Sequence, residues 1–233
     1  IARDREVVDF IAQEAAYVFD LGDQEHEVPR REQLHRLGQY ILEGSKPGSA
    51  AAAVHVTHKV LPLDSEGLGR LLKLTLRAGE RFWDSAQIMA ERLADRVTLV
   101  VPFEPDSNLV CLALNPVGNQ DLARMNAFSR DVFANMKVDP SQPVQAKTFI
   151  GSYTSLEKNN LPSGQADRIL HELGIDPSTF VTEPTDANRE SDHIFILRHT
   201  LMNPWFLDGP DGHSYIDLYW EYLSELVDKA MAG

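Results

Sequence analysis

The sequence predicts a mixed α/β protein, with a helical N-terminal part followed by a compact α+β domain. Before residue 95, apolar residues recur at every third or fourth position, which indicates amphipathic helices. After residue 95, short apolar runs bounded by turn residues alternate with helical patterns. Their order, β-β-α-β-α-β-α, is typical of a small sheet with helices packed against one face. We therefore expect a boundary near Asp95.

The N-terminal part begins with helical and loop patterns. Asp4–Ala16 has apolar residues at helical spacing and is predicted to form an amphipathic helix. The polar, acidic stretch Leu21–Arg31 is rich in turn residues, so we expect a mobile loop. A further helix is expected to begin at Gly48 and to run to about Val60, because Pro62 cannot continue it.

A long helix is predicted over Glu66–Asp95. Its apolar residues follow three-to-four spacing, which predicts one buried stripe that belongs to the core. The residues of this stripe are Leu68, Leu71, Leu72, Leu76, Phe82, Trp83, Ala86, Met89 and Leu93.

Four strands are predicted after the long helix. Val97–Val101 and Leu109–Leu114 are short apolar runs separated by a loop that contains two prolines. Lys147–Ser155 is predicted as the third strand and His193–Leu201 as the fourth. Three helices separate or follow these strands in the predicted order.

Local signals predict where these helices begin and end. Asn119 is the expected N-cap of the first. The second is expected over Gly164–Leu173, with Gly174 closing it. Ser214-x-x-Asp217 resembles a capping box at the start of the last helix.

Composition and charge exclude several classes of function. Acidic residues outnumber basic ones by 35 to 22 in 233 residues, giving a formal charge of −13. Nucleic acid is therefore not an expected partner, because phosphate-backbone binding needs clustered Lys and Arg.

Apolar runs such as Val97–Val101 are too short to span a bilayer. The lone Cys111 cannot form an internal disulfide, so we expect a cytoplasmic protein with Cys111 as a small buried residue.

A glycine- and serine-containing turn precedes the alanine-rich helix start. Gly44, Ser45 and Gly48 in this segment offer backbone N–H groups and a positive helix end to an anion, usually a phosphate. The alternative interpretation is a plain turn before a helix, which the same residue types also make.

Three motifs and their order resemble the C-terminal half of the pyridoxal-phosphate-dependent decarboxylases of the aromatic amino acid, tyrosine and glutamate decarboxylase group. The first is the glycine-serine segment within Tyr40–Ala53. The second is Val110–Gly118, similar to a strand of the family's small domain. The third is Phe195–Pro204, similar to the family's late Phe-x-Leu-Arg strand. The resemblance covers nearly the whole chain.

This resemblance implies an α/β fold of the fold-type I pyridoxal-phosphate transferases. Residues 1–95 would be the tail of the large cofactor-binding domain, and residues 96–233 the small C-terminal α+β domain. It also implies a homodimer, whose partner subunit completes the active site. The family's Asp-x-His-Lys motif is absent, so we expect the cofactor-binding lysine upstream of Ile1 and treat the chain as a fragment that is inactive alone.

The resemblance also implies roles for individual residues. Tyr17 lies at the edge of the acidic loop, where the family places a proton-donating tyrosine; alternatively, it ends the first helix. Ser45, with Gly44 and Gly48, would contact the cofactor phosphate of the partner subunit. Arg198 would bind the substrate carboxylate or, equally, form a structural ion pair, because a charge on an apolar strand needs a partner.

Other candidate positions are predicted to be structural. His199 should face the side of its strand opposite Arg198, so the two do not serve one site easily. Lys59 follows a histidine but lies on the wrong side of the glycine-serine segment, so we expect a solvated helix residue. His55 and His58 lack a third ligand at a spacing typical of zinc sites.

The acidic segment before the fourth strand is expected to be solvated and without a functional role. Its residues are Asp186, Glu190 and Asp192.

Two alternative functions stay open. One is a carbon–carbon lyase or aminotransferase of the same fold, and the other is a noncatalytic dimerisation or regulatory module. The sequence alone does not distinguish aromatic, acidic and diamino acids as the substrate.

Overall fold

A computed structural model describes residues 47–183 and 189–232. The chain divides into two compact units, Ile1–Pro62 and Leu63–Gly233. The predicted helix Asp4–Ala16, the acidic loop and the Tyr40–Lys46 part of the glycine-serine segment lie outside the described residues. The predicted boundary near Asp95 stays a prediction.

The described part of the first unit is the helix α1, Gly48–Val60. Its bounds confirm the prediction from Gly48 and Pro62. Pro47 is the N-cap residue, and no side chain caps this helix end. Every residue of α1 is exposed.

The described residues of the second unit form a four-stranded antiparallel sheet. Its strands are β1 (Val97–Val100), β2 (Leu109–Pro116), β3 (Ser152–Glu157) and β4 (His193–Thr200), in the spatial order β1-β2-β4-β3. The central strands β2 and β4 are buried along most of their length, whereas the edge strand β3 alternates between half-buried and exposed residues. This pattern is expected for a sheet that is covered on both faces at its centre.

Helices cover both faces of this sheet. They are α2 (Leu68–Arg92), α3 (Leu122–Ala134), α4 (Gln165–Leu173) and α5 (Tyr215–Ala232). The alternating β2 residues Leu112 and Leu114 share a core with α2 and α5, whereas Ala113 between them shares a second core with α4. The prediction of helices on one face was therefore wrong, because side chains on both sides of the central strands are apolar.

Helix α3 lies where β2 and β4 separate. The paired register of these strands ends at Leu112 opposite Leu197. Beyond this point, Ser129 Oγ donates to the Leu114 carbonyl at 3.1 Å, and the Asn126 side chain bonds to the backbone of β4. Polar side chains of the helix thus satisfy strand groups that a neighbouring strand would otherwise pair.

The apolar stripe predicted for the long helix is buried only in the C-terminal part of α2. Phe82, Ala86 and Met89 lie in the core, as does Leu93 directly after the helix. In the N-terminal part, the leucines at 68, 72 and 76 are 37%, 57% and 46% exposed. The prediction of one continuous buried stripe was therefore wrong for these leucines. Helical periodicity shows which residues share a face but not where the covering surface ends.

Two element boundaries differ from the prediction. Asp121, not Asn119, is the N-cap of α3, since its Oδ1 accepts the Arg124 N–H at 2.8 Å. Asn119 instead donates to Oδ1 of Asn115 at 2.7 Å. The third strand begins at Ser152 rather than Lys147, because the N–H of the preceding Gly151 donates to the Met136 carbonyl and not to a strand.

Two predicted helix ends are confirmed. Gly174 closes α4 in the left-handed conformation, with φ of 73°. At the start of α5, Ser214 Oγ accepts the Asp217 N–H, and the Asp217 carboxylate accepts the Ser214 N–H at 3.2 Å. This reciprocal pair is a capping box. The Ser214 hydroxyl also donates to the Asp217 carboxylate, and this hydrogen bond lowers the pKa of Asp217 below its usual value.

Candidate functional site

Arg198 lies near the end of β4 and is exposed. Its Nε donates to Ser152 Oγ at 3.2 Å, and the Ser152 hydroxyl donates to the Arg198 carbonyl at 2.9 Å. Among the described residues, no carboxylate pairs with this guanidinium. The expected cost of burying its charge therefore does not arise, and the guanidinium Nη groups remain available to an anion.

Arg198 and His199 face opposite sides of the sheet, as predicted. Arg198 stands opposite Cys111 in the register, whereas His199 stands opposite Val110. The His199 ring packs against Phe82 of α2, with ring centroids 4.8 Å apart. The two side chains therefore lie in different surroundings. Arg198 is exposed to solvent, whereas His199 lies in the core beneath α2 and α5.

His199 and Tyr219 form a hydrogen-bonded pair with a fixed direction. His199 Nδ1 lies 3.2 Å from the Val110 carbonyl oxygen, which only accepts hydrogen bonds, so Nδ1 carries the ring proton. Nε2 is then an acceptor, and the Tyr219 hydroxyl donates to it. Burial lowers the pKa of His199 to about 4 and raises the pKa of Tyr219. Both side chains are therefore neutral near pH 7.

Aromatic rings surround this pair. The Tyr219 ring lies edge-on to Phe149 at 5.5 Å, and Phe82 stacks on Trp220 at 4.6 Å. The Trp220 Nε1–H donates to Ser85 Oγ at 2.8 Å, which satisfies the indole donor inside the core. The His199 and Tyr219 side chains are thus held by rings from α2 and α5 and by the segment before β3.

A cavity of about 200 Å³ opens beside the His199–Tyr219 pair. It lies beside the first residue of β3, Ser152, and the last residues of β4. Ile150 and Tyr215 at its rim are 54% and 38% exposed. Its lining is mostly aromatic or aliphatic: Phe82, Phe149, Ile150, Leu201, Phe206, Tyr215, Ile216 and Tyr219, with Gly151, Ser152, Arg198, His199 and Thr200. This is the cavity that we regard as the candidate small-molecule site of the described chain.

Sequence reasoning missed most of this cavity. Helical spacing from Ile216 places Tyr219 on the inward face of α5. Alternation along β4 places His199 on the side that faces the core, and a histidine at a core position indicates a polar contact inside the fold. The pairing of the two was not predictable, because it joins residues 20 positions apart, on two elements connected by a long loop.

Three of the sequence-predicted cofactor and catalytic residues lie outside the described part of the chain: Tyr17, Gly44 and Ser45. Gly48 is described, as the first residue of α1. A Cβ atom at Gly48 would meet no atom within 4 Å, and the first turn of α1 contains no acidic residue. This open, uncapped helix start is compatible with an anion such as a phosphate.

Other predicted positions have structural surroundings. Lys59 is exposed on α1, as predicted. In residues 47–183 and 189–232, no group of His, Cys, Asp and Glu side chains has the arrangement of a metal site. Cys111 is only half-buried, although partial burial still raises the pKa of its thiol.

The acidic segment before β4 was expected to be solvated, but two of its residues make specific contacts. Asp192 lies 2.6 Å from His193 Nδ1, and Arg130 donates to His193 Nε2 at 2.9 Å. Glu190 accepts from Arg130 Nε at 2.9 Å. These contacts tie the segment to α3. Asp186, the third residue of the segment, lies outside the described residues.

The family of the chain follows from comparison with known proteins. A family model described as "Tyrosine decarboxylase, C-terminal" matches residues 79–230, more than half of the chain. The chain belongs to this family. The match begins within α2 and covers the sheet, α3, α4 and nearly all of α5. It therefore includes the cavity and Arg198, and it confirms the resemblance to the C-terminal portion of a group II decarboxylase.

Individual relatives agree with the family match. The chain is 26% identical to an L-tyrosine decarboxylase of Enterococcus faecalis, over 98% of the chain and 34% of that protein. It is 29% identical to an L-tyrosine decarboxylase of Levilactobacillus brevis, over 88% of the chain and 30% of the relative. The chain thus spans about a third of the length of these curated relatives.

The helices of the structure were also compared with the length and hydropathy of membrane-spanning segments. Within residues 47–183 and 189–232, no helix is both long and apolar enough to cross a bilayer.

Proposed function

We propose that the chain is the C-terminal part of a pyridoxal-phosphate-dependent amino acid decarboxylase of fold type I, with an aromatic L-amino acid, foremost L-tyrosine, as the substrate. The family match over residues 79–230 carries this proposal. The activity of the relatives, L-tyrosine decarboxylases, favours tyrosine over the acidic and diamino acids that the sequence left open. We further propose that the enzyme is a cytoplasmic homodimer whose partner subunit completes the active site.

The glycine-serine segment is proposed to bind the cofactor phosphate. Gly44, Ser45 and Gly48 would contact it through backbone N–H groups and the Ser45 hydroxyl, at the positive end of α1. The open surroundings of Gly48 and the absence of an acidic residue in the described first turn of α1 support this role. When bound, pyridoxal phosphate supplies an electron sink for the bond that is broken.

Arg198 is proposed to hold the substrate carboxylate. Its Nε is bound to Ser152, which orients the planar guanidinium and leaves the two Nη groups for a bidentate contact. Tyr17 is proposed to return a proton to the α-carbon after carbon dioxide has left, which requires a positioned acid and exclusion of water.

The experiment that tests this function is borohydride reduction of the complete protein with added pyridoxal phosphate, followed by peptide mapping. A pyridoxyl label on a lysine upstream of Ile1 is expected. A label on Lys59 would overturn the assignment of the site, and the variant Lys59→Ala serves as the control because it should leave labelling unchanged. Absence of any label would favour the noncatalytic module.

Product analysis separates the enzymatic alternatives. The complete protein is expected to release carbon dioxide and tyramine from L-tyrosine. Formation of a 2-oxo acid would indicate an aminotransferase instead, and an aldehyde product a carbon–carbon lyase. The 233-residue chain alone is expected to show no turnover, since it lacks the proposed cofactor lysine.

A further inference from the structure

We propose that the cavity beside His199 and Tyr219 is a binding site for an uncharged phenolic ring. The inference goes beyond the decarboxylase function and does not depend on it, because it rests on the cavity's walls and on the direction of one hydrogen bond. If phenol binding fails, the proposed decarboxylation is unaffected.

The size and walls of the cavity fit one aromatic ring. Its volume is about 200 Å³, and a dry protein cavity of about 150 Å³ already accommodates benzene. Phe82, Phe149 and Phe206 contribute aromatic surface, and Leu201 and Ile216 contribute aliphatic surface. Rings favour such walls, because edge-to-face and offset contacts add to the burial of apolar area.

The charge of the lining selects a neutral ligand. The described residues that line the cavity include neither an acidic residue nor a lysine. The one arginine, Arg198, directs its side chain to the other face of the sheet, as its register opposite Cys111 shows. A charged group inside the cavity would therefore lose hydration without gaining a counter-ion.

The Tyr219 hydroxyl distinguishes a phenol from a plain aromatic ring. Its hydrogen is directed to His199 Nε2, because His199 Nδ1 donates to Val110. The Tyr219 oxygen accepts no hydrogen bond from any other described residue, so its lone pairs remain available. A ligand hydroxyl would donate to this oxygen and extend a chain of hydrogen bonds through Tyr219 and His199 to Val110, and each bond polarises the next.

Fluorine NMR of the full chain tests the proposal with two probes of similar size, 4-fluorophenol and fluorobenzene. Both are expected to bind saturably, with 4-fluorophenol about fivefold tighter, which corresponds to one neutral hydrogen bond. Tyr219→Phe retains the ring and removes the oxygen, so the two probes should then bind equally. Tyr222→Phe is the matched control, since it removes a hydroxyl from the same helix that bonds to Asn135 outside the cavity.

A second variant keeps the test decisive if Tyr219→Phe does not fold. Ile150 is an exposed residue at the rim, so Ile150→Trp should obstruct the entrance without disturbing the core. This variant is expected to weaken the binding of both probes at least fivefold. Equal affinity of the two probes for the unmodified chain, a phenol preference that survives Tyr219→Phe, or unchanged binding by Ile150→Trp would each overturn the proposal.

Discussion

The Asn126 side chain occupies the place of a missing strand beside Phe195. Its Oδ1 accepts the Phe195 N–H at 2.9 Å, and its Nδ2 donates to the His193 carbonyl at 2.7 Å. The same Nδ2 lies 2.6 Å from the Glu190 carbonyl. Asn126 is fully buried, so these bonds are made in the core, where unpaired backbone groups would be costly. One amide thus joins α3, β4 and the segment before β4.

Replacing Asn126 with Asp should destabilise the fold strongly. The carboxylate still accepts from Phe195, but its second oxygen faces two carbonyl oxygens to which Nδ2 had donated. We expect a loss of about 3 kcal/mol in the free energy of unfolding, measured by urea denaturation at pH 7. Asn159→Asp is the matched control, because Asn159 is exposed and the charge change is identical. Equal stability of the two variants would contradict this role of Asn126.

Ser85→Ala should leave the buried Trp220 indole without its acceptor. The Trp220 Nε1–H donates to Ser85 Oγ at 2.8 Å, and both side chains are buried. The expected loss in the free energy of unfolding is about 2 kcal/mol, which is the cost of an unsatisfied buried donor. In the background Trp220→Phe, which has no indole donor, Ser85→Ala should cost at least 1 kcal/mol less. An equal cost in both backgrounds would show that the hydrogen bond does not stabilise the fold.

Periodicity and capping signals predicted most of the fold, because these signals are local. The helix Gly48–Val60, the glycine that ends α4 and the Ser214–Asp217 capping box depend on residues within a few positions of each other. The start of β3 was misplaced because the Gly151 N–H bonds to Met136, a contact between separate elements. The uncovered leucines of α2 have the same explanation, since burial depends on the surface that another part of the chain provides.

For the candidate site, the sequence predicted single residues but not their arrangement. Arg198 was found from a charge on an apolar strand, and alternation placed His199 on the opposite side. The His199–Tyr219 pair and the cavity required the packing of α5 against β4, which no motif encodes. The cofactor residues Tyr17, Gly44 and Ser45 depend on the family resemblance and stay predictions.

Arg198→Met should weaken substrate binding in the complete enzyme if the guanidinium holds the substrate carboxylate. A hydrogen-bonded charge contributes about 1.5–3 kcal/mol, so KM for L-tyrosine should rise about 10- to 100-fold. Ser152→Ala, which removes the contact to Nε, should raise KM less. The control is Arg124→Met, because Arg124 is also an exposed arginine but lies on α3 and not on β4. An unchanged KM in Arg198→Met would leave Arg198 without a role in substrate binding.

His199 should make the stability of the fold depend on pH between pH 7 and pH 5. Burial lowers its pKa from 6.5 to about 4, so the unfolded chain takes up a proton at a higher pH than the folded chain. The unfolded state therefore gains stability first as the pH falls. Because of this residue, the free energy of unfolding should decrease by about 2 kcal/mol from pH 7 to pH 5.

The matched variants His199→Gln and His171→Gln test this dependence by urea denaturation at several pH values. Glutamine at position 199 can donate to Val110 or accept from Tyr219 but does not titrate, so the pH dependence should become shallower by about 2 kcal/mol over this range. His171 is exposed on α4, and its replacement should leave the slope unchanged because its side chain is solvated in the folded and in the unfolded chain. If His199→Gln retained the full slope, a group other than His199 would have to cause it.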